Sequence, residues 1–389
     1  MRTAKKKVGM APFDDILSPQ GQAAITLASQ LGDSISAAKR LRQQFSPALA
    51  AEAATQVALR AKAVAKFGQD AANMFFTSDG LEQATRASVA AWRAEQFRSA
   101  GVKHVLDLCC GIGADARAFV EAGMRVTGVE IDPKTAAFAK ANVSQAEIIC
   151  ADAKQVAAQL ITPDTAVFID PARRNEKGRS WRPADFRPGW DFITQLLNQC
   201  SALLVCVKLG PGLLREFIDD SLVTTWVSDH GQMVEASLWK GMGEPGDQIA
   251  VLLPQGISVR ASGAKLPSGS LGRYLWEPDP AILRAQATAD VAGNGRLVSD
   301  GVGYVTSDEK LPQDFGTLFE IDEVLNYDLK TLKAWVREKD VGVVEIKKRA
   351  IDIDPAILRR KLKLRGSQSA TLVLTPTLSG ARALVVHRV

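Results

Sequence analysis

Residues 104–115, HVLDLCCGIGAD, decide the fold of this chain. The segment 105–108 has the character of a β-strand, 111–113 is a glycine-bearing turn, and 116–120 begins an apolar pattern of helical period. Glycine lets the backbone approach a ligand closely, and the free N–H groups at a helix start favour electron-rich groups. The stretch therefore predicts a strand, a tight loop and a helix that together hold a nucleotide-type cofactor.

Strands and helices alternate outward from this stretch. Strands are predicted at 104–108, 125–130, 146–150, 166–170 and 202–208, and helices at 114–122, 133–143, 190–199 and 212–219. This alternation predicts an α/β fold with a parallel sheet covered on both faces. Further strands are predicted at 223–229, 233–240 and 248–253. No helix separates the last two, which predicts an antiparallel hairpin at the sheet edge.

Composition divides the chain into four parts. Residues 1–68 predict a small helical domain, and residues 69–255 carry the alternating strands and helices. Residues 256–272 are rich in Gly, Ser and Pro and predict a linker, and residues 273–389 predict an α+β domain. In that domain Asp279 and Asp354 each precede a proline, which predicts two helix starts with aspartate N-caps.

The composition is typical of a soluble globular protein. Of the 389 residues, 46% are hydrophobic and 23% are charged. The five cysteines form no CxxC pair and no ligand set with histidine, so we expect a reduced cytoplasmic protein without a metal site. No segment has the pattern of a signal peptide or a membrane span, and we expect no membrane association. The net charge of +5 mildly favours binding to polyanions.

Three acids at the ends of successive predicted strands indicate which type of cofactor the site binds. Asp107 could bind the ammonium of a methionyl group, whereas a carboxylate there would not help a pyrophosphate. The third glycine of a dinucleotide fingerprint is replaced by Ala116. Glu130 suits ribose hydroxyls, and Asp152 suits an adenine amino group. Together these residues favour S-adenosylmethionine over a dinucleotide.

The motifs resemble those of a known family. DLCCGIGAD, VTGVEIDP, ICADA and FIDPAR, in this order, look like the successive motifs of class I S-adenosylmethionine-dependent methyltransferases, and the branch they resemble is that of the trimethylguanosine-synthase-like RNA methyltransferases. The segment 75–94 is similar to the lead-in of that family. The segments 274–285 and 344–366 are similar to the THUMP-like domain that is fused to such enzymes in bacteria. The resemblance implies a Rossmann-like sheet of seven strands, flanked by the helical N-terminal domain and the C-terminal α+β domain.

The resemblance also implies roles for individual residues around S-adenosylmethionine. Asp107, Gly111 and Gly113 would hold the methionine part of the cofactor. Glu130 would bind the ribose and Asp152 the adenine edge. Gln83 and Thr85 would close over the cofactor.

The fourth motif departs from the family pattern. Related amino-group methyltransferases carry Asp/Asn-Pro-Pro-aromatic, whereas residues 170–173 read Asp-Pro-Ala-Arg. Asp170 and Pro171 are the predicted catalytic residues, with Asp170 orienting the methyl acceptor. The loop that follows contains Arg173, Arg174 and Trp181 and mixes cations with aromatic rings. Such a mixture is typical of a surface that binds phosphates and stacked bases, but it also occurs in ordinary solvated loops. The turn at 208–212 is interpreted as structural.

Positive charge concentrates in the C-terminal domain. Residues 328–365 hold twelve Lys/Arg and six Asp/Glu, so this segment alone exceeds the net charge of the whole chain. Lys347, Lys348 and Arg349 are the predicted RNA contacts, although a charge run is also typical of a solvated face. RNA is therefore the expected partner. The alternatives are a non-catalytic RNA-binding protein that keeps a cofactor pocket and a methyltransferase for a protein or small molecule.

Overall fold

The computed structural model describes residues 14–173 and 183–389. The α-helices in these ranges are α1 (Asp14–Leu17), α2 (Pro19–Leu31), α3 (Ile35–Gln44), α4 (Pro47–Phe67), α5 (Ser78–Gln83), α6 (Ala87–Ser99), α7 (Ala114–Glu121), α8 (Pro133–Asn142), α9 (Ala153–Leu160), α10 (Trp190–Gln199), α11 (Pro280–Ala285), α12 (Thr288–Val291), α13 (Leu329–Glu338) and α14 (Pro355–Leu362). Asp279 and Asp354 cap α11 and α14 as predicted, since each side chain accepts a hydrogen bond from a backbone N–H of the first turn.

The described strands form two large sheets and one short two-stranded sheet. They are β1 (His104–Leu108), β2 (Arg125–Glu130), β3 (Glu147–Cys150), β4 (Thr165–Ile169), β5 (Ala172–Arg173), β6 (Phe186–Arg187), β7 (Leu204–Leu209), β8 (Val223–Asp229), β9 (Gln232–Lys240), β10 (Gln248–Leu253), β11 (Ile257–Arg260), β12 (Tyr274–Pro278), β13 (Arg296–Leu297), β14 (Val305–Ser307), β15 (Gly316–Asn326), β16 (Val341–Lys348), β17 (Gln368–Thr377) and β18 (Gly380–Arg388).

Contacts divide the chain into two compact units, one reaching to residue 215 and including 237–242, the other formed by 216–236 and 243–389. In the first unit β7, β4, β1, β2 and β3 lie side by side in that order and run parallel, with the end of β9 beside β7. Parallel strands present their carboxyl ends at one sheet edge, so the segments that follow them meet there. The predicted α/β, Rossmann-like architecture is confirmed.

The N-terminal helices pack through small side chains in this first unit. Four alanines of α2 and α4 are buried in one cluster with Phe75 and Phe138. The two phenylalanine rings lie 5.5 Å apart. Alanine lets helices approach closely, which explains why this alanine-rich segment forms helices with so few large apolar residues. The domain boundaries predicted at residues 68, 255 and 272 stay predictions beside the division by contacts.

In the second unit, β8 lies between β9 and β10, and β11 follows at the edge. The remaining seven strands form a separate sheet in the order β13-β14-β12-β15-β18-β17-β16. The pairs β15 with β18 and β18 with β17 are antiparallel, and β16 runs parallel to β17. α13 and α14 cover one face through a core that contains Leu332, Trp335 and Leu358. This is the predicted α+β domain.

Four details differ from the sequence-based expectation. The predicted hairpin at the sheet edge was wrong, because β10 pairs in parallel with β8 and only β11 is antiparallel to it. β11 occupies 257–260 of the predicted linker, where apolar and polar residues alternate. The helix expected at 212–219 is reduced to a 3-10 turn at Arg215–Phe217, close after Pro211 and Gly212. With β10 and β11, the strands of the α/β sheet in the described ranges number nine and not seven.

None of the helices in the described parts of the chain is long and apolar enough to cross a bilayer. Likewise, within residues 14–173 and 183–389, no group of three or more His, Cys, Asp or Glu side chains is arranged to hold a metal ion.

Candidate active site

The loop after β1 is shaped by three residues with left-handed backbone. They are Cys109 (φ 73°), Gly111 (φ 56°) and Gly113 (φ 85°). The N–H groups of Cys109 and Cys110 donate to the Val129 carbonyl at 2.8 and 3.0 Å, which fixes the loop against β2. Gly113 is the N-cap of α7. The backbone therefore turns sharply at the sheet edge, directly before a helix N-terminus.

Alanine at Gly113 is expected to destabilise the protein more than alanine at Gly111. Both residues have positive φ, which costs a non-glycine residue about 1–2 kcal/mol. A Cβ at Gly113 would also lie 2.9 Å from Val143 Cγ2, whereas at Gly111 it would meet nothing within 4 Å. Urea denaturation of both variants should show an extra loss of about 1 kcal/mol or more for Gly113→Ala. Equal losses would mean that the Val143 side chain gives way without cost.

Asp107 is a buried carboxylate near the end of β1. It is 1% exposed, and neither carboxylate oxygen has a hydrogen-bond partner among the described residues. Burial raises the pKa of Asp107 well above its usual range, and the neighbouring carboxylates of Asp115 and Asp170 raise this pKa further. A buried acceptor pair of this kind is costly unless a ligand supplies donors.

A buried ion pair stands beside Asp107. Arg93 of α6 is fully buried and donates to Asp115 Oδ1 in a short contact. The Thr85 hydroxyl donates to the other oxygen of Asp115 at 2.5 Å. The Arg93 guanidinium also lies 4.6 Å from the centre of the Phe168 ring. These contacts fix the first turn of α7 against α6 and the segment before it.

Lys208 extends this group of charges to the fourth motif. Its Nζ donates to Thr85 Oγ1 at 2.8 Å and to Asp170 Oδ2 at 2.5 Å. The cations Arg93 and Lys208 act on the pKa of Asp107 in the opposite sense to the carboxylates of Asp115 and Asp170. A ligand cation brought to Asp107 would likewise favour the ionised form of its carboxyl group.

Two predicted cofactor acids lie at the ends of the next strands. Glu130 accepts from the N–H of Gly111 at 3.0 Å and from the N–H of Asp132 at 2.9 Å, so its carboxylate is fixed beside the glycine turn. Asp152 is the N-cap of α9 and accepts from the N–H of Lys154 at 2.9 Å. Ile131, directly after Glu130, is 66% exposed, which is unusual for a large apolar side chain.

The two residues predicted to close over the cofactor, Gln83 at the end of α5 and Thr85 just after it, have different surroundings. Thr85 is buried and hydrogen-bonded to Asp115 and Lys208, whereas Gln83 is exposed. Lys66 anchors this segment, since its Nζ donates to three main-chain oxygens within residues 81–84 at 2.6–3.0 Å. Burial lowers the pKa of Lys66. That Gln83 and Thr85 close over a cofactor stays a prediction.

The predicted substrate residues are only partly described. The Asp170 side chain is 33% exposed and Pro171 is buried. The backbone of Arg173 belongs to β5 and pairs with Phe186 of β6. Arg174 and Trp181 lie outside the described residues.

The predicted RNA contacts of the C-terminal domain have unequal surroundings. Lys347 and Arg349 both bind the carboxylate of Glu277, at 2.7 and 3.3 Å, and each is about three-quarters buried. Arg349 also lies 4.8 Å from the centre of the Tyr304 ring. Lys348 is exposed. Two of these three cations are therefore largely neutralised within their own domain.

Sequence reasoning missed Arg93 and Asp115 and interpreted Lys208 as part of a structural turn. A signal for Arg93 was present, because Val89, Arg93 and Phe97 recur at a spacing of four and a cation therefore lies on the apolar face of α6. Lys208 likewise interrupts the apolar strand β7. Their partners lie far along the chain, and only the fold brings them together.

These residues fit S-adenosylmethionine, which the sequence motifs implied. The orphaned oxygens of Asp107 await a cationic donor, and the open side of Gly111, where an added Cβ meets nothing within 4 Å, leaves room for a ligand at the turn. Ligand binding at this edge is also what an open parallel sheet favours.

Comparisons with known proteins agree with this geometry. A methyltransferase domain matches residues 105–171, a THUMP domain-like family matches 316–388, and a domain of unknown function matches 10–63. An uncharacterized S-adenosylmethionine-dependent methyltransferase, present in two strains of Mycobacterium tuberculosis, is 32% identical over 344 residues, which cover 82% of this chain and 90% of that protein. The crystal structure of a protein assigned as a methyltransferase in Porphyromonas gingivalis superposes with a TM-score of 0.75 at 21% identity, covering 94% of this chain and 97% of that one.

The structural likeness supports the fold, and the identity to the mycobacterial protein establishes the family. The predicted combination of a methyltransferase domain with a C-terminal THUMP-like domain is confirmed, as is S-adenosylmethionine as the cofactor. With its glycine turn, its three strand-end acids and 32% identity across most of its length, the chain belongs to the S-adenosylmethionine-dependent methyltransferases.

Proposed function

We propose that this methyltransferase acts on structured RNA, tRNA or rRNA, and that its basic C-terminal domain docks the substrate. The observation that carries the proposal is a set of exposed cations on α14 and the turn after it. The members are Arg359, Arg360, Lys361, Lys363 and Arg365. None of them has an ion-pair partner within the described ranges, so their charge is available to phosphates. We call this set the α14 cations.

The α14 cations complement the residues proposed from sequence. Lys348 is exposed like them, whereas Lys347 and Arg349 are paired with Glu277 and would contribute less. The α14 cations lie in the segment that matches the THUMP domain-like family. Arg173, Arg174 and Trp181 remain the proposed contacts for the reacting nucleotide.

Within the cofactor site we propose a division of labour among the strand ends. Asp107 would bind the methionine ammonium, Glu130 the ribose hydroxyls and Asp152 the adenine edge, with Gly111 and Gly113 allowing close approach of the backbone. The exposed Ile131 side chain would pack on the adenine ring.

Asp170 would orient the methyl acceptor, with its backbone direction set by Pro171. When bound, S-adenosylmethionine supplies a methyl group on a positively charged sulfur. The protein then has to hold the acceptor in line with that group and exclude water, and such positioning provides a large share of the acceleration in reactions of this kind. A carboxylate that accepts a hydrogen bond from the acceptor serves this purpose.

Reversing charge on the α14 cations is expected to weaken RNA binding selectively. The variant Arg359→Glu/Arg360→Glu/Lys361→Glu should raise KM for RNA by about tenfold or more, with kcat unchanged, because lost phosphate contacts affect docking and not chemistry. The measurement is transfer of labelled methyl groups to total RNA from cells that lack this protein. Loss of each contact should also reduce the slope of log affinity against log salt by about 0.7–0.9.

A matched control exists in the helical N-terminus. Lys39→Glu/Arg40→Glu/Arg42→Glu makes the same change in charge on α3, where all three side chains are also exposed. Equal effects of the two triple variants would show only a general influence of net charge and would contradict docking by α14. Label incorporated into protein and not into RNA would favour a protein substrate. Mass spectrometry of nucleosides from cells with and without the protein would then identify the product.

A further inference from the structure

Lys208 is placed to control the substrate-orienting carboxylate. It lies near the carboxyl end of β7, next to β4, and its side chain is 12% exposed. The Nζ donates to Asp170 Oδ2 at 2.5 Å and to Thr85 Oγ1 at 2.8 Å. A lysine side chain has many rotamers, and an ammonium held by partners such as these loses that freedom. The cation is therefore fixed in direction as well as in charge.

The fixation of Lys208 derives from the buried part of the fold. Thr85 connects the ammonium to Asp115, and Asp115 is held by the fully buried Arg93. The sequence of contacts thus runs from a buried ion pair, through one hydroxyl, to an ammonium and finally to Asp170. Each member limits the motion of the next. A carboxylate at the end of such a chain has a more restricted orientation than one on a free loop.

Only one oxygen of Asp170 is used in this chain. Among the described residues, Oδ1 receives no hydrogen bond, and the side chain is one-third exposed. Oδ2 is occupied by the ammonium, and Oδ1 is left as an acceptor that a ligand can reach. A carboxylate held in this way recognises a group that carries a hydrogen, an N–H or an O–H.

We infer that Lys208 is a positioning residue for methyl transfer: it holds Asp170 through Oδ2 so that Oδ1 accepts a hydrogen bond from an amine or hydroxyl acceptor. The inference rests on the proposed role of Asp170 as the orienting residue. The contact of Lys208 with Asp170 compensates for the departure of the fourth motif, since residues 172–173 are Ala-Arg where related amino-group enzymes have proline and an aromatic residue. In this chain a lysine from the neighbouring strand takes over part of the orientation.

The test separates positioning from folding and from cofactor binding. Lys208→Met is expected to lower kcat about 100-fold, the loss typical of a displaced reacting group, while KM for RNA and the dissociation constant of S-adenosylmethionine change by less than about threefold. Lys208→Arg keeps the charge and should recover about tenfold of that loss. Thr85→Val removes one anchor of the ammonium and should lower kcat by about tenfold. Cofactor binding is measured by calorimetry.

The control is Lys240→Met, which removes a partly buried ammonium that donates to the main-chain oxygen of Cys200 instead of a carboxylate. If Lys208→Met and Lys240→Met lose melting temperature, cofactor affinity and kcat in parallel, Lys208 is merely structural and the inference is overturned. An unchanged kcat in Lys208→Met overturns it as well.

A second measurement does not depend on RNA. In a double-mutant cycle of melting temperatures, Lys208→Met and Asp170→Asn should be non-additive, because each variant removes the same contact. Additive shifts would contradict the pairing and overturn the inference. If the cycle is non-additive but the unaltered protein transfers no methyl group to any RNA, the pairing is supported and the RNA substrate proposal fails. The two proposals can therefore fail separately.

Discussion

Asparagine in place of Asp107 is expected to stabilise the cofactor-free protein at neutral pH and at the same time to abolish tight binding of S-adenosylmethionine. The cause of the first effect is a buried carboxylate without a hydrogen-bond donor in the described residues. Asparagine has nearly the same shape and carries no charge, so the cost of ionising the side chain in the interior disappears. A gain of about 1–2 kcal/mol is typical when a strained functional residue is replaced.

The gain from Asp107→Asn should depend on pH in a defined direction. Burial raises the pKa of Asp107 in the folded protein, while in the unfolded chain it titrates near 4. Below about pH 4 both states are protonated, and the variant should have no advantage. As pH rises above that value, the unfolded chain releases its proton first, so the unaltered protein loses stability until the folded carboxyl also ionises. The advantage of the variant should grow through this window and then level off.

Cofactor binding should change in the opposite sense. Loss of one partner of a buried charge pair costs about 2–5 kcal/mol, so affinity for S-adenosylmethionine should fall at least about 30-fold. Scanning calorimetry between pH 4 and 8 and titration calorimetry measure the two effects. Asp132→Asn is the control, because asparagine caps a helix as well as aspartate and Asp132 is an exposed N-cap with no assigned contact to the cofactor. A variant at Asp107 that is less stable at neutral pH would contradict this account.

Arg93→Met is expected to be among the most destabilising single substitutions in the first unit. It leaves Asp115 buried without its cation, and breaking a buried pair in this way costs about 3–5 kcal/mol. The contact with the Phe168 ring is lost as well. Methionine fills a similar volume, so the loss reflects the charge more than a cavity. The free energy of unfolding from urea titration measures it.

Arg98→Met, five residues further along α6, is the matched control. Arg98 forms an exposed pair with Glu95, and such surface pairs contribute little to stability. The double variant Arg93→Met/Asp115→Asn should be less destabilised than Arg93→Met alone, because the unpaired charge is removed. Similar losses for Arg93→Met and Arg98→Met would show that the Arg93–Asp115 pair does not stabilise the fold.

The glycine turn within 104–115 and the acids at the later strand ends could be predicted from the sequence because local chemistry specifies them. A strand, positive-φ glycines and a helix start need particular residues at particular spacings, and in the structure Gly111 and Gly113 have positive φ and Glu130 accepts a hydrogen bond from the N–H of Gly111. The aspartate caps of α11 and α14 were predictable for the same reason, since a cap and its helix are neighbours in sequence. Each of these features depends on contacts a few residues apart.

The pairing of charges could not be predicted in this way. Lys208 lies 123 residues from Thr85 and 38 from Asp170, and Lys347 lies 70 residues from Glu277. The sequence therefore predicted Lys208 to be part of a turn and Lys347 to be a free cation. The partner of Lys347 belongs to a distant strand and could not be inferred locally. The parallel pairing of β10 with β8 was missed for a related reason, since strand order depends on long-range packing that a local pattern does not encode.

The sequence by itself determined the α/β class, the cofactor turn and the identity of the acids at the strand ends, because period, glycine conformation and capping act over short distances along the chain. Only the tertiary structure decided which charges are compensated. It left Asp107 without a partner, joined Lys208 to Asp170, and neutralised Lys347 and Arg349 while the α14 cations stayed exposed. The physical reason is that burial and charge pairing depend on distances in space, and those distances exist only once the strands and helices have packed.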